Sequence, residues 1–208
     1  MRIDPKVNRS KYDRELSRLQ ERRADLERRG VYLLGSSAYP LLDLLFVAHH
    51  PLRIWTTQLR QGNLFLGAPV LVAQDIEALA PSAFTARFDL SDYDLEPPSL
   101  VFLNPWTGTP LSFNTMFRAL EYNVGRGPHE VLIADHPLTH MPFLCVRGIR
   151  EYHSHPQHSG DEWLLYRPSM NLFSIILSVW RVCVDLPSLQ CSITESGCQF
   201  TWAAEEKP

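Results

Sequence analysis

The stretch Phe143–Trp163, FLCVRGIREYHSHPQHSGDEW, holds one cysteine, two glutamates, three histidines and an aspartate. Two chemistries suit that set. The first is metal binding. Glu151, His153 and His155 recur at every second position, so in an extended chain their side chains share one side. Cys145, six residues before Glu151, completes a four-donor set after a turn through Gly148. Thiolate, imidazole and carboxylate are all zinc ligands. The second chemistry is nucleophilic catalysis by Cys145, which lies in the apolar FLCVRG. Arg147, Arg150 and the histidines favour its thiolate, the reactive form. The plain alternatives are a polar surface loop and a buried, inert thiol. The two chemistries compete for one sulfur, because a zinc-bound thiolate is already occupied.

These residues sit in a chain of 208 residues, 45% hydrophobic and 21% charged, which suits one domain with appendages. No apolar run reaches the ~18 residues needed to span a bilayer, so no membrane association is expected. The N-terminus has no apolar core of a secretory signal. The cysteines are Cys145, Cys183, Cys191 and Cys198, with no CxxC pair. That pattern fits free thiols in a reducing, cytoplasmic setting and argues against a four-cysteine zinc ribbon. The net charge of −3 is uneven. The first thirty residues hold ten Lys or Arg against six Asp or Glu, a net +4 that leaves −7 on the rest. A basic segment on an acidic body suits docking to an acidic protein and disfavours nucleic acid.

The positioning elements are read from periodicity. Ser10–Arg29 reads as a helix capped by Ser10, with Tyr12, Leu16, Leu19 and Leu26 as a sparse apolar stripe and Gly30 as its stop. The apolar run VYLLGSSAYPLLDLLFVAHHP is ambiguous in type. LRIWTTQL and PVLVAQDI read as strands. In FTARFDL the apolar Phe84, Ala86, Phe88 and Leu90 alternate with polar residues, marking a half-buried strand. Pro97-Pro98 must be a connection, since tandem prolines do not fit a central strand. SLVFLNP resumes as a strand, pairing back on Phe84–Leu90. Further on, TMFRALEYNV is expected to be a short helix, HEVLIAD a strand and HPLTHMP a loop. Ser169 is expected to cap a buried helix, Met170 to Asp185. Residues 188–208 read as a terminal hairpin or tail. The sum is an α+β arrangement with helices segregated from an antiparallel sheet.

The order of these pieces resembles the ubiquitin-conjugating enzymes. In that family a strand ends in a YP-x-x-PP turn and the next strand has the form V-x-F-x-T/N-P. Tyr93, Pro97, Pro98, Phe102 and Pro105 stand at matching places, with Leu100 where the family has valine. Cys145 in FLCV, then Trp163, then a proline-led helix match the family's catalytic cysteine, tryptophan and helix in the same order. The resemblance implies a UBC-like domain over 1–187 with an insertion at 106–130. It implies that Cys145 carries a ubiquitin-like protein as a thioester. It also implies that the basic helix, 10–29, docks on the activating enzyme. His153 or His155 would then accept the thiol proton. Asp161 would orient or deprotonate an acceptor lysine, and Glu151 would orient a histidine. No cofactor is required in this reading. The family's His-Pro-Asn is here His136-Pro137-Leu138, so the oxyanion-stabilising asparagine is missing. About forty residues separate Asn104 from Cys145. Asn114 and Asn123 lie in the insertion and neither is assigned to that role.

Cys145, Glu151, His153 and His155 also resemble the signature of the CEHH family of predicted metal-binding proteins. That family is associated with bacterial operons that encode ubiquitin-like proteins and activating-enzyme homologues. This second resemblance implies zinc on those four residues and a recruitment role without transfer activity. His153-x-His155-Pro156 is shared with the JAB/MPN metalloproteases. Here, however, Ser159 and Asp161 come too soon after it for that family's site.

Overall fold

The computed structural model describes residues 4–35, 38–58, 70–113, 120–122, 130–158, 161–194 and 197–204. Helix α1 (Pro5–Glu21) starts five residues before Ser10. Asp4 is its N-cap and accepts from the Lys6 N–H, and Pro5 occupies the first turn, where no N–H is needed. Tyr12 and Leu19 are buried on its inner face, and the Tyr12 hydroxyl donates to the Leu41 carbonyl at 3.0 Å. The helix breaks at Arg22, and α2 (Arg23–Arg28) buries Leu26. Gly30 ends it at φ 74°, where a Cβ would collide with the Val47 carbonyl oxygen. Only glycine accepts both that dihedral and that approach.

The ambiguous apolar run becomes β1 (Val31–Leu33) and the start of β2 (Leu41–Gln58). The strands expected at LRIWTTQL and PVLVAQDI are parts of longer ones: β2 continues through the first, and β3 (Val70–Asp89) runs from the second through FTARFD. Strand β4 (Ser99–Leu103) pairs antiparallel with β3, Thr85 opposite Leu103 and Asp89 opposite Ser99. That is the pairing the alternation and the double proline require. Phe84, Ala86, Phe88 and Leu90 are buried, and Phe84 stacks on Phe46 and meets Phe102 edge-on. Each such ring removed from water contributes roughly 1.5–3 kcal/mol. Across β2 and β3, Asp43 and Arg87 lie in register and form a two-pronged ion pair at 2.8 Å.

Beyond the meander, β5 (Leu120–Tyr122), β6 (Glu130–Asp135) and β7 (Pro142–Leu144) form an antiparallel series. The helix expected over TMFRALEYNV is not formed at Leu120–Tyr122, which is strand; residues 114–119 and 123–129 lie outside the described residues. The terminal hairpin, β8 (Pro187–Thr194) and β9 (Gly197–Ala204), is inserted in the sheet. There β8 runs parallel to β2, and β9 parallel to β5. The strand order is β4-β3-β2-β8-β9-β5-β6-β7, with β1 beside β2.

Four short turns of helix come after β7: α3 (Arg150–Ser154), a 3-10 turn (Pro156–His158), α4 (Trp163–Tyr166) and a second 3-10 turn (Arg167–Ser169). The buried helix α5 (Leu172–Trp180) is capped by Asn171, not Ser169. Asn171 and Ser174 satisfy each other's backbone N–H groups in a capping box. A wider turn continues the helix over Arg181–Asp185. Leu172, Ile175, Ile176 and Val179 face the core. A Cβ on Gly148 would lie 2.6 Å from Ile175 Cγ1, so this helix packs directly on the backbone just beyond Cys145. Among the described residues no helix is long and apolar enough to cross a membrane.

Candidate functional site

Strand β7 delivers Cys145 to the sheet's edge, and the chain then doubles back on itself. Ring contacts shape the result. Phe143, two residues before Cys145, stacks on His155 with centroids 4.7 Å apart and planes at 12°. Residues three apart eclipse in a 3-10 turn, and the Pro156–His158 turn brings His158 back beside His155, 5.5 Å between centroids. His158 Nε2 lies 3.7 Å from Cys145 Sγ. His158 also stacks on Tyr152 at 3.9 Å. Thus the imidazole against the thiol is His158, not His153 or His155. Its signal was in the sequence, as the third histidine of HSHPQH, but it lies off the every-second-residue pattern of Glu151, His153 and His155.

The other candidates have separate tasks. Glu151 turns away to strand β4: its carboxylate accepts from the Ser99 hydroxyl and, at 3.1 Å, from the Leu100 N–H. His153 is a brace, with Nδ1 2.5 Å from the Asp161 carbonyl and Nε2 2.7 Å from the Arg147 carbonyl. Glu151 and His153 separate because 150–154 is helical, and residues two apart on a helix point about 200° apart. The set Cys145, Glu151, His153 and His155 therefore does not converge on one point: Glu151 is bound to β4, His153 bridges two carbonyls and His155 stacks on Phe143. Among the described residues, no group of three or more His, Cys, Asp or Glu side chains is arranged to hold a metal ion.

Asp161 lies between two phenols, accepting from Tyr152 at 2.6 Å and Tyr166 at 3.0 Å. Those hydrogen bonds, Tyr152 first, hold its carboxyl below the usual carboxylate value. Arg147 reaches the Tyr152 hydroxyl at 3.4 Å and lies over the Tyr166 ring. Arg150 donates to the Ser91 carbonyl and pairs with Glu96. His155 is held below its ordinary value, first by burial and then by the charges of His158 and His136. His136 accepts the Leu138 N–H on Nδ1 at 3.3 Å, and its buried Nε2 has no hydrogen-bond partner among the described residues. Leu138 thus offers an attacked carbonyl neither a side-chain donor nor its N–H. The Asn104 side-chain oxygen accepts from the Trp106 and Thr107 N–H groups in a turn. Asn114 and Asn123 lie outside the described residues. Cys183 is fully buried, which pushes its thiol pKa strongly up, whereas Cys145 is half-buried.

The fold and site define an α+β protein whose half-buried thiol meets an imidazole at the end of a strand. The chain belongs to the Y4jH family. It is 30% identical over 187 residues to the uncharacterized protein y4jH of Sinorhizobium fredii, a match covering 80% of this chain and 76% of the relative. The Y4jH-like family's model matches residues 128–185, the segment that carries the site from His136 to the end of the buried helix.

Proposed function

We propose that the protein is a cysteine-dependent acyl carrier of a ubiquitin-like conjugation pathway, with Cys145 as nucleophile and His158 as its proton acceptor. The observation that carries this reading is the 3.7 Å approach of His158 Nε2 to Cys145 Sγ. Its context is the UBC-like order of helix, meander, double-proline turn, cysteine and buried helix. Cys145 passes its proton to His158, and the thiolate adds to the C-terminal carbonyl of the ubiquitin-like protein, held as a thioester on the activating enzyme. The activating enzyme's sulfur leaves and takes the proton from the imidazolium. An acceptor amine later attacks the new thioester, Cys145 leaves as the thiolate, and the proton lost by the amine passes to His158. His153 braces the two loops flanking the thiol. Asp161 acts beside the pair rather than on the sulfur.

The partners in this reading are the ubiquitin-like protein and the activating enzyme, the latter docking on the basic helices α1 and α2. Arg22 and Arg29 already lie over Phe173 and Trp180. The exposed Arg14 and Arg23 are therefore the informative positions for charge reversal. Arg14→Glu with Arg23→Glu is expected to weaken association and reduce its salt sensitivity.

The test is incubation with the cognate activating enzyme, ubiquitin-like protein and ATP. The reading requires a reductant-sensitive adduct that is absent in Cys145→Ser. An adduct that resists reductant, or one that persists in Cys145→Ala, contradicts it. So does stoichiometric zinc in freshly purified protein that disappears in Cys145→Ala, which is the result the CEHH resemblance implies.

A further inference from the structure

Tyr152 is buried beneath the site and belongs to neither resemblance. Its ring lies face to face with His158, centroids 3.9 Å apart and planes at 21°. Its hydroxyl donates to Asp161 Oδ2 at 2.6 Å, while Tyr166 takes Oδ1 at 3.0 Å, so the carboxylate is fixed at both oxygens. We propose that Tyr152 is the positioning residue of the Cys145–His158 pair. Its ring face holds the imidazole against the sulfur, and its hydroxyl carries the influence of the Asp161 charge to that same ring. The inference rests on the reading of Cys145 as a nucleophile.

The physical chain has three links. An aromatic face is the negative pole of the ring and attracts a cation stacked on it. A phenol that donates to an ionised carboxylate gains electron density on the ring, in the way hydrogen bonds in series polarise one another. When Cys145 passes its proton to His158 Nε2, the imidazole becomes an imidazolium, and only then does the enriched face attract a full positive charge. Tyr152 thus stabilises the thiolate–imidazolium state more than the neutral pair. No bond other than S–H breaks and none other than N–H forms. The groups facing His158 are Phe143 from β7 and Cys145 just after it, Tyr152 and His155 from α3 and its end, and the charge of Asp161 from the loop before α4. Arg147 donates to the same hydroxyl at 3.4 Å and opposes the effect of Asp161.

The test is alkylation of the full chain by iodoacetamide, monitored at the Cys145 peptide by mass spectrometry from about pH 5.5 to 9, the range in which thiols titrate. Tyr152→Phe keeps the stacked ring and loses the link to Asp161. Asp161→Asn keeps the shape and removes the charge. Each is expected to slow alkylation about threefold on the acidic side, and Tyr152→Leu about tenfold, since ring and link are both lost. At the alkaline end all three are expected to converge on the wild-type rate, because the thiol then ionises without help. A uniform slowing at every pH would mean that Tyr152 only shapes access, and would overturn the proposal. So would Tyr152→Phe and Asp161→Asn profiles that superimpose on wild type. If Tyr152→Leu does not fold, the other two variants decide. His158→Ala in the same assay separates the two failures. A wild-type profile there removes the pair itself, whereas a slowed His158→Ala beside unchanged Tyr152→Phe and Asp161→Asn removes this inference alone.

Discussion

On one side of α3, Arg150 and Glu151 are lashed to the double-proline turn. The Arg150 N–H donates to the Pro98 carbonyl at 2.9 Å, its guanidinium reaches the Ser91 carbonyl, and Glu151 spans Ser99 and Leu100. On the other side, Tyr152, His155 and His158 meet Phe143 and Cys145 through ring faces and one 3.7 Å sulfur–nitrogen contact. The two sides are adjacent in sequence but differ in their titratable groups, Arg and Glu on the first against Tyr, His and Cys on the second. The first uses charge to hold a backbone in place. The second holds a thiol and an imidazole side by side, where a proton can pass between them. A carboxylate next to histidines therefore takes its role from the groups it accepts from, not from its neighbours in sequence.

The largest effect that separates the two sides is expected on the anchoring one. Glu151→Ala leaves the Ser99 hydroxyl and the Leu100 N–H without their charged acceptor and is expected to destabilise by about 2–3 kcal/mol in urea titration. Alkylation of Cys145 in the folded fraction should stay within about twofold of wild type, since the Glu151 carboxylate faces β4. A large fall in alkylation with little loss of stability would place Glu151 on the reactive side after all. Gly148→Ala is expected to cost about 1–3 kcal/mol, because the new methyl meets Ile175 at 2.6 Å and α5 must shift. Unaltered stability there would mean that α5 does not buttress the site. Ser99→Ala, which removes one donor from Glu151, should cost only about 1 kcal/mol.

The smallest effects are pH effects on the reactive side, and they fall in two windows. His155 is depressed in the folded protein, so the unfolded chain binds its proton more readily. Its contribution is complete above its ordinary value of 6.5 and is lost as the pH falls toward the lowered folded value. Asp161 is depressed too, so its contribution is present above its ordinary value of 3.8 and lost as the pH falls through the lowered one. Urea midpoints measured against pH should therefore lose less on mild acidification in His155→Leu than in wild type. Tyr166→Phe should alter the dependence only in the carboxylate range. A Tyr166→Phe effect confined to the histidine range would contradict the assignment.

The meander was legible because its signals are local: the alternation of Phe84–Leu90 and the chemistry of Pro97-Pro98 each act over a few residues. The start of α1 was missed because Ser10 looks like a cap, while Asp4-Pro5 makes a better one. The full length of β2 and the place of the β8–β9 hairpin in the sheet depend on partners far along the chain, which no window of sequence contains. At the site, Cys145 stood out by type and setting. His158 did not, because spacing at every second residue presumes an extended chain. The short helix α3 and the Pro156 turn replace that period with others, sending Glu151 to β4 and returning His158 to the sulfur.

Whether His158 is the partner of the thiol is decided by three histidine variants in one measurement, the rate of Cys145 alkylation in the native protein near neutral pH. If the pairing holds, His158→Ala slows the reaction by about tenfold or more, as expected when a thiolate loses its paired imidazole. His153→Ala and His155→Ala should fall much less. Equal rates in wild type and His158→Ala, or a larger loss in His153→Ala or His155→Ala, would refute the pairing.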